Sequence, residues 1–503
     1  MPGHPKRKGP RERRRERPPP KPSNPADTQH HTSIICKLPY DILSEIFKQV
    51  CAPSDLDEQP IVPPTRLGAV CTHWRHAAWS TPHLWTFLLL TGGFWLSKNR
   101  IGVLNLYFTN IGALTLSLAI NDYPTDPARG RKRRGNHLLG HHIIDRTVDF
   151  PARDVFTTIF VRHSEKLKSL MMGEYVLPWL REIEAISKSH SFASLEVFAV
   201  TDDLSFAELG FSTGADPTVT IHNAPLLDTL LLNGLQCAFV FPWTQIVDLR
   251  LCAVDARCAM QAVLQCANLE DLSIADLEDT EDENMVFPKG TTVLSRLRSF
   301  SFSDYTLLDS WEMGLASHLS FPSLVRLTLG VSLDHFPHHA SFLSSLPTTL
   351  THIGLCCDHA KYWTELLLDF LPRWESLRSL LLIVEGKVPI DVINHLVVER
   401  QEGNIILPAL LRFSLAISTP ETWLGRERLL AILELMRSRR KGSRPEGVVR
   451  ILSLEMSFYS AWLNLKNWPK SFKSGIRELV QDGLDVNIVA LDRRVSAPWL
   501  ERS

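Results

Sequence analysis

The chain has 503 residues, 44% of them hydrophobic and 22% charged, the balance of an ordinary globular protein with length enough for several domains. Its 54 Lys and Arg stand against 55 Asp and Glu, so a formal net charge of −1 excludes a whole-chain attraction to nucleic acid or an anionic membrane, and any basic function has to be local. The nine cysteines include no C-x-x-C pair, which argues against a disulfide framework and fits reduced, buried thiols; His335/His338 and Cys252/Cys258/Cys266 lack metal-ligand spacing, so neither a metal nor any other cofactor is expected.

Residues 1–32 form a basic tail rich in Pro, Arg and Lys, expected to be disordered. The tail has no apolar core of a secretory signal, and its basic clusters read as a solvated segment, with nuclear import as the sharper alternative. The pattern changes near Ile34. Ile42, Leu43, Ile46, Phe47 and Val50 share one helical face, with Pro39 in the first turn, so a helix is predicted over 39–50. An acidic, Pro-rich loop, Cys51 to Pro64, separates it from a second predicted helix carrying Leu67, Val70, Cys71, Trp74, Ala77 and Ala78. Thr81-Pro82 stops that helix, and Leu84-Trp85 comes directly after. Gly68 inside the second helix is a poor helix former.

The series Leu38-Pro39, Ile42-Leu43-x-x-Ile46-Phe47, Val70-Cys71-x-x-Trp74-Arg75 and Pro82-x-Leu84-Trp85 resembles the F-box, and the phrase LGAVCTHWRHAAWSTPHLW resembles the F-box-like proteins abundant in mushroom-forming fungi. The resemblance covers about residues 34–90, and ALTLSLAI at Ala113 to Ile120 is similar to the segment after the motif in those proteins. It implies binding to the SKP-family adaptor, and through it to a cullin, by Leu38, Pro39, Ile42, Leu43, Ile46, Phe47, Val70, Cys71, Trp74, Leu84 and Trp85. From the residues alone, a module this small has more apolar side chains than its own core needs, and packing against the rest of the chain is the competing use for them.

Phe94 to Ile120 carries Lys98, Asn99, Arg100, Asn105 and Asn110 and alternates, so strands are expected there and a membrane span is not. Beyond it a phrase recurs in which apolar residues occupy positions one, four and six. It runs through Leu195/Phe198/Val200, Leu227/Leu230/Leu232, Ile246/Leu249/Leu251, Leu269/Leu272/Ile274 and Leu297/Phe300/Phe302. It continues through Leu324/Leu327/Leu329, Leu350/Ile353/Leu355, Leu377/Leu380/Leu382, Leu410/Phe413/Leu415 and Val449/Leu452/Leu454, with weaker copies at Ile111/Leu114/Leu116 and Leu167/Leu170/Met172. From Leu269 to Leu377 the step is 26–28 residues, within the range of leucine-rich repeats, while other steps are uneven. Positions four and six point the same way from a short strand into a core that only stacked neighbours close, and Tyr362 to Leu371 and Glu427 to Met436 have the helical pattern of the return segments.

Two basic segments, Pro124 to Arg146 (an insertion at 124–146) and Arg437 to Arg444, read as exposed loops. Neither carries the aromatic platform of a single-strand binder, so nucleic acid is disfavoured. Gly210-Phe-Ser212-Thr-Gly214 spells the serine-hydrolase elbow, but Asp216-Pro217 breaks the helix that the chemistry requires; no catalytic residue is expected.

The expected fold class is α/β: a small all-α F-box helical module at 33–90, then an irregular leucine-rich-repeat solenoid of short parallel strands and helices at 91–460, and a C-terminal cap or tail at 461–503. The expected function is that of a non-enzymatic substrate receptor of a cullin-RING ubiquitin ligase in the cytosol, the nucleus or both. A repeat scaffold without ligase function is the alternative. The face that would hold an unknown protein substrate is expected at Asp271, Ser273, Arg298, Ser299, Arg326, Thr328, His352, Ser379 and Arg412, a set without a single sign of charge.

Overall fold

The computed structural model describes residues 38–51, 62–95, 97–121, 153–173, 177–201, 218–234, 238–277, 291–303, 318–331, 342–357, 368–384, 390–398, 405–417, 425–440, 447–458 and 468–490. The basic tail, the insertion at 124–146, Ser212, His335 and His338 lie outside them, as does most of the helix expected at Tyr362 to Leu371. The chain divides into two compact units, Met1–Thr81 and Pro82–Ser503.

The first unit is helical: α1 (Tyr40–Cys51), α2 (Pro64–Gly68) and α3 (Thr72–Trp79). Pro64 opens α2, where its missing N–H costs nothing. The second predicted helix is in fact two. Cys71 takes up extended backbone and its Sγ accepts the Trp74 N–H at 3.4 Å, so the chain ends α2 and restarts as α3. Gly68 falls at that break, and a Cβ there would lie 1.9 Å from the Trp79 ring; the residue that looked like a weak point of a helix is what lets the indole pack. Leu43, Phe47 and Cys51 of α1 and Leu67, Ala77 and Ala78 form the core. Three polar contacts pin it: Arg75 Nε donates to the Gly68 carbonyl at 2.9 Å, His73 Nε2–H to the Leu38 carbonyl at 3.0 Å, and Ser44 bonds Thr81 side chain to side chain at 2.8 Å.

The second unit is an α/β solenoid. Among the described residues Thr218–Thr220 pairs with Ala238–Val240 and Thr292–Val293 with Leu319–Ser320 as separate two-stranded sheets, and fourteen strands form one sheet in chain order, parallel throughout: β1 (Phe87–Leu90), β2 (Leu116–Ile120), β3 (Leu167–Met172), β4 (Val197–Thr201), β5 (Thr229–Asn233), β6 (Asp248–Cys252) and β7 (Asp271–Ala275). The order continues through β8 (Ser299–Ser303), β9 (Arg326–Val331), β10 (His352–Cys357), β11 (Ser379–Val384), β12 (Arg412–Ile417), β13 (Ser453–Phe458) and β14 (Asp485–Ala490). Helices alternate with the strands, among them α4 (Arg100–Asn110), α5 (Leu177–Ser187), α6 (Ala256–Gln265), α7 (Ile390–His395), α8 (Arg426–Ser438) and α9 (Lys470–Gln481).

The pairing register shows why the repeat phrase works. Leu249, Leu272, Phe300, Leu327, Ile353, Leu380, Phe413, Leu454 and Val486 pair in one ladder, and Leu251, Ile274, Phe302, Leu329, Leu355, Leu382, Leu415, Met456 and Ile488 in the next but one. Every apolar position of the nine phrases from Leu195 to Leu415 is at most 3% exposed. A turn precedes each phrase: the N–H of position one donates to the carbonyl three residues earlier, as in Leu195 to Phe192, Leu269 to Cys266 and Leu377 to Trp374.

Three sequence expectations change. Residues Arg100–Asn110 are a helix, because Leu104, Tyr107, Phe108 and Ile111 bury at helical spacing; only Leu116–Ile120 of the expected strands is one. In β2 the paired inward residues are Leu118 and Ile120, four residues later than in the copy Ile111/Leu114/Leu116. In β13 they are Leu454 and Met456, so the phrase there is Ile451/Leu454/Met456; Val449 and Leu452 point outward, 39% and 53% exposed.

The segment Arg437 to Arg444, expected to be a solvated loop, is also corrected over its described part. Arg437 and Ser438 end α8, and Arg439 is 0% exposed, donating to the carbonyls of Leu396, Leu407 and Ile406 at 3.1, 2.7 and 2.6 Å. Burial pushes its guanidinium down to about 10, so it remains a cation at neutral pH without a carboxylate partner among the described residues. Arg440 bonds the Ile451 carbonyl and Asp482, tying α8 to the approaches of β13 and β14.

Candidate functional site

In the helical unit, α1 carries two apolar faces. Leu43, Phe47 and Cys51 turn inward, and burial pushes the Cys51 thiol up to about 11. Ile42 and Ile46, four residues apart and hence on one side of the helix, are 46% and 43% exposed, with Pro39 exposed one turn earlier. Val70, in the turn between α2 and α3, is 61% exposed. Leu38 is half-buried, its carbonyl held by His73. Cys71 and Trp74 are half-buried; Trp74 meets Phe47 edge-on at 5.0 Å, and its indole N–H has no acceptor among the described residues. Tyr40, absent from the expected set, is 50% exposed and lies 4.5 Å from the His73 ring. An aromatic at the start of an amphipathic helix was the available signal.

Two members of the expected adaptor set are placed elsewhere. Leu84 and Trp85 belong to the second unit, where they are 5% and 0% exposed and Trp85 packs edge-on against Tyr107 of α4 at 5.0 Å. The expectation that they complete an open patch is therefore corrected: a bulky pair directly before the first strand fills the end of the repeat core. Leu43 and Phe47 likewise serve the core of their own unit.

On the sheet, the register brings Asp271, Ser299, Arg326, His352, Ser379 and Arg412 into one row across six strands, and Ser273 and Thr328 into the row two residues on. Arg298 stands one residue before β8, where its N–H and that of Ser299 share the Glu270 carbonyl. Arg298, Arg326, His352 and Arg412 are exposed and the serines half-buried. His352 is held below the usual histidine range, first by burial and then by the nearby guanidiniums of Arg326, Arg412 and Arg378, so it is neutral at physiological pH. Three charged residues outside the expected set also stand here: Asp248 and Arg250, which pair at 3.0 Å on β6, and Arg378, which precedes β11.

Among the described residues no three His, Cys, Asp or Glu side chains are grouped to hold a metal, and no helix is long and apolar enough to cross a membrane. No protein-family model matches the chain, and no curated protein matches it.

Proposed function

We propose that the protein is a substrate receptor of a cullin-RING ubiquitin ligase, docking on the SKP-family adaptor through its N-terminal helices and holding a target protein on its repeat sheet. One observation carries the reading. Ile42, Ile46 and Val70 remain open in a unit whose core is already filled by Leu43, Phe47, Leu67 and Ala77. Burying an exposed aliphatic side chain stabilises an interface by up to about 1.5–3 kcal/mol each, so three such residues with Pro39 and Tyr40 supply the apolar centre of a docking face. The F-box resemblance says what covers it. Catalysis would then be by proximity: the receptor raises the local concentration of target beside transfer chemistry that other subunits perform. This role implies residence in the cytosol, the nucleus or both.

Co-purification with the SKP-family adaptor tests it. Ile42→Asp/Ile46→Asp changes two exposed side chains and leaves the core residues in place, so the variant should fold, with an unchanged circular dichroism spectrum, and lose the adaptor. Retention of the adaptor by that folded variant would count against the face, and absence of the adaptor from the unaltered protein against the whole reading. A repeat scaffold with no ligase connection is the competing reading, favoured by the enclosure of Leu84 and Trp85 in the repeat core.

A further inference from the structure

Charge along the entry edge of the sheet is sorted, which the sequence order alone conceals. Residues at the rung that opens each strand, or one before it, run Glu196, Asp228, Asp248 and Glu270 with Asp271 across β4 to β7. They then run Arg298, Arg326, His352, Arg378 and Arg412 across β8 to β12. The backbone fixes the alignment. The Glu196, Glu270, Arg298 and Arg378 carbonyls each accept two N–H groups from the entry of the next strand.

The two halves differ in how they are neutralised. Glu196 pairs with Lys168 at 3.2 Å, Asp248 with Arg250 at 3.0 Å, and Asp271 with Arg326 at 3.6 Å. Arg298, Arg378 and Arg412 are exposed and have no ion pair or side-chain hydrogen bond among the described residues. Beside this row the floor is low: Ser301, Thr328, Gly354, Leu381 and Ser414 occupy the next outward rung, and a Cβ on Gly354 would meet Thr328 Oγ1 at 3.2 Å.

We propose that the row from Arg298 to Arg412 is the docking site for an Asp/Glu-rich segment of a partner protein, lying across the strands. Strands about 4.8 Å apart put roughly 19 Å between Arg298 and Arg412, the span of about six extended residues at ~3.3 Å each. Carboxylates meet guanidiniums in a planar two-point geometry, and three of these guanidiniums have no partner among the described residues. A nucleic acid fits less well. The row and its floor present no aromatic ring besides His352 for bases to stack on, and a continuing polyanion would run into Glu270, Asp271 and Asp248. Those carboxylates instead suit basic residues at the β7 end of the bound segment.

This inference rests on the sheet being the target-holding part of the proposed receptor and is independent of the adaptor-docking helices. Fluorescence anisotropy with the full chain tests it. A labelled peptide of six Asp and Glu residues should bind, and tighter with a Lys-Lys extension at one end than without. Arg378→Glu/Arg412→Glu should weaken it by about tenfold or more while leaving the melting temperature and adaptor co-purification unchanged. Failure of the acidic peptide to bind overturns the proposal. So does unchanged affinity in the double variant, binding only to a phosphoserine peptide, stronger binding to single-stranded DNA, or occupation of the row by a second copy of the chain, seen as a dimer that the same variant dissociates. Loss of the adaptor from the unaltered protein with the peptide result intact would remove the ligase reading and leave this one standing.

Discussion

Arg439 shows how far a single side chain can depart from its sequence pattern. Within a run of basic residues it reads as solvated, yet it is enclosed and bonded to three backbone carbonyls, one of them from Leu407, which holds a positive φ of 51°. A non-glycine residue in that region stores strain that its surroundings must hold in place. Arg439→Met keeps most of the volume and removes three hydrogen bonds from a charged donor, each worth about 1.5–3 kcal/mol. The expected loss is ~3 kcal/mol or more of unfolding free energy by urea denaturation; a change below about 1 kcal/mol would show that the three bonds add nothing net.

At the scale of the strand, the repeat was legible where position one, four and six side chains all face the core, and illegible where apolar residues also occupy outward rungs. Val449/Leu452/Leu454 satisfied the template as well as Ile451/Leu454/Met456, and only pairing with β12 separates them. Pairing fixes a testable contrast: Leu454→Ala should destabilise by about 2–5 kcal/mol, whereas Leu452→Ala, on a 53% exposed side chain, should stay within about 0.5 kcal/mol. Equal effects would mean that the register is wrong. A further signal lay unread: the residue three before each phrase is usually apolar and buried, as Phe192, Trp243, Cys266, Phe321 and Trp374 are. Including it would have rejected Val449/Leu452/Leu454, which has Glu446 at that place, but not Ile111/Leu114/Leu116, which has the buried Phe108 there. In the helical unit the amphipathic face of α1 was legible, but its division into an inward and an outward half was not, because periodicity finds an apolar arc without saying how much of it the chain itself covers. Trp85, in the second unit, is a like case: its enclosure, with Tyr107 against its ring, is a matter of packing that periodicity does not report.

For the repeat unit as a whole, each strand of the fourteen-stranded sheet is paired, among the described residues, only with its neighbours in the order β1 to β14, so stability is a sum of nearest-neighbour terms and the ends need closing. The described part of the segment at 461–503 adds one more helix and strand to the stack. β14 pairs with β13, and α9 buries Phe472 and Ile476, with Gly475 so close to Leu433 of α8 that a Cβ would lie 2.6 Å from its side chain. A chain ending at Phe458 loses both elements and bares the free edge of β13. It should melt at lower temperature and associate in a concentration-dependent way by light scattering, because an uncovered parallel edge recruits further strands. A truncated chain that stays monomeric with an unchanged melting temperature would refute a protective role for this last unit.

The sorting of charge along the strand entries has a kinetic side. A molecule with a net charge of −1 exerts little long-range pull as a whole, but the entries of four strands carrying carboxylates beside five carrying four arginines and a neutral histidine give this face an electric moment. Such a moment applies a torque to any approaching charged body and turns it before contact, so collisions become productive more often than net charge alone would allow.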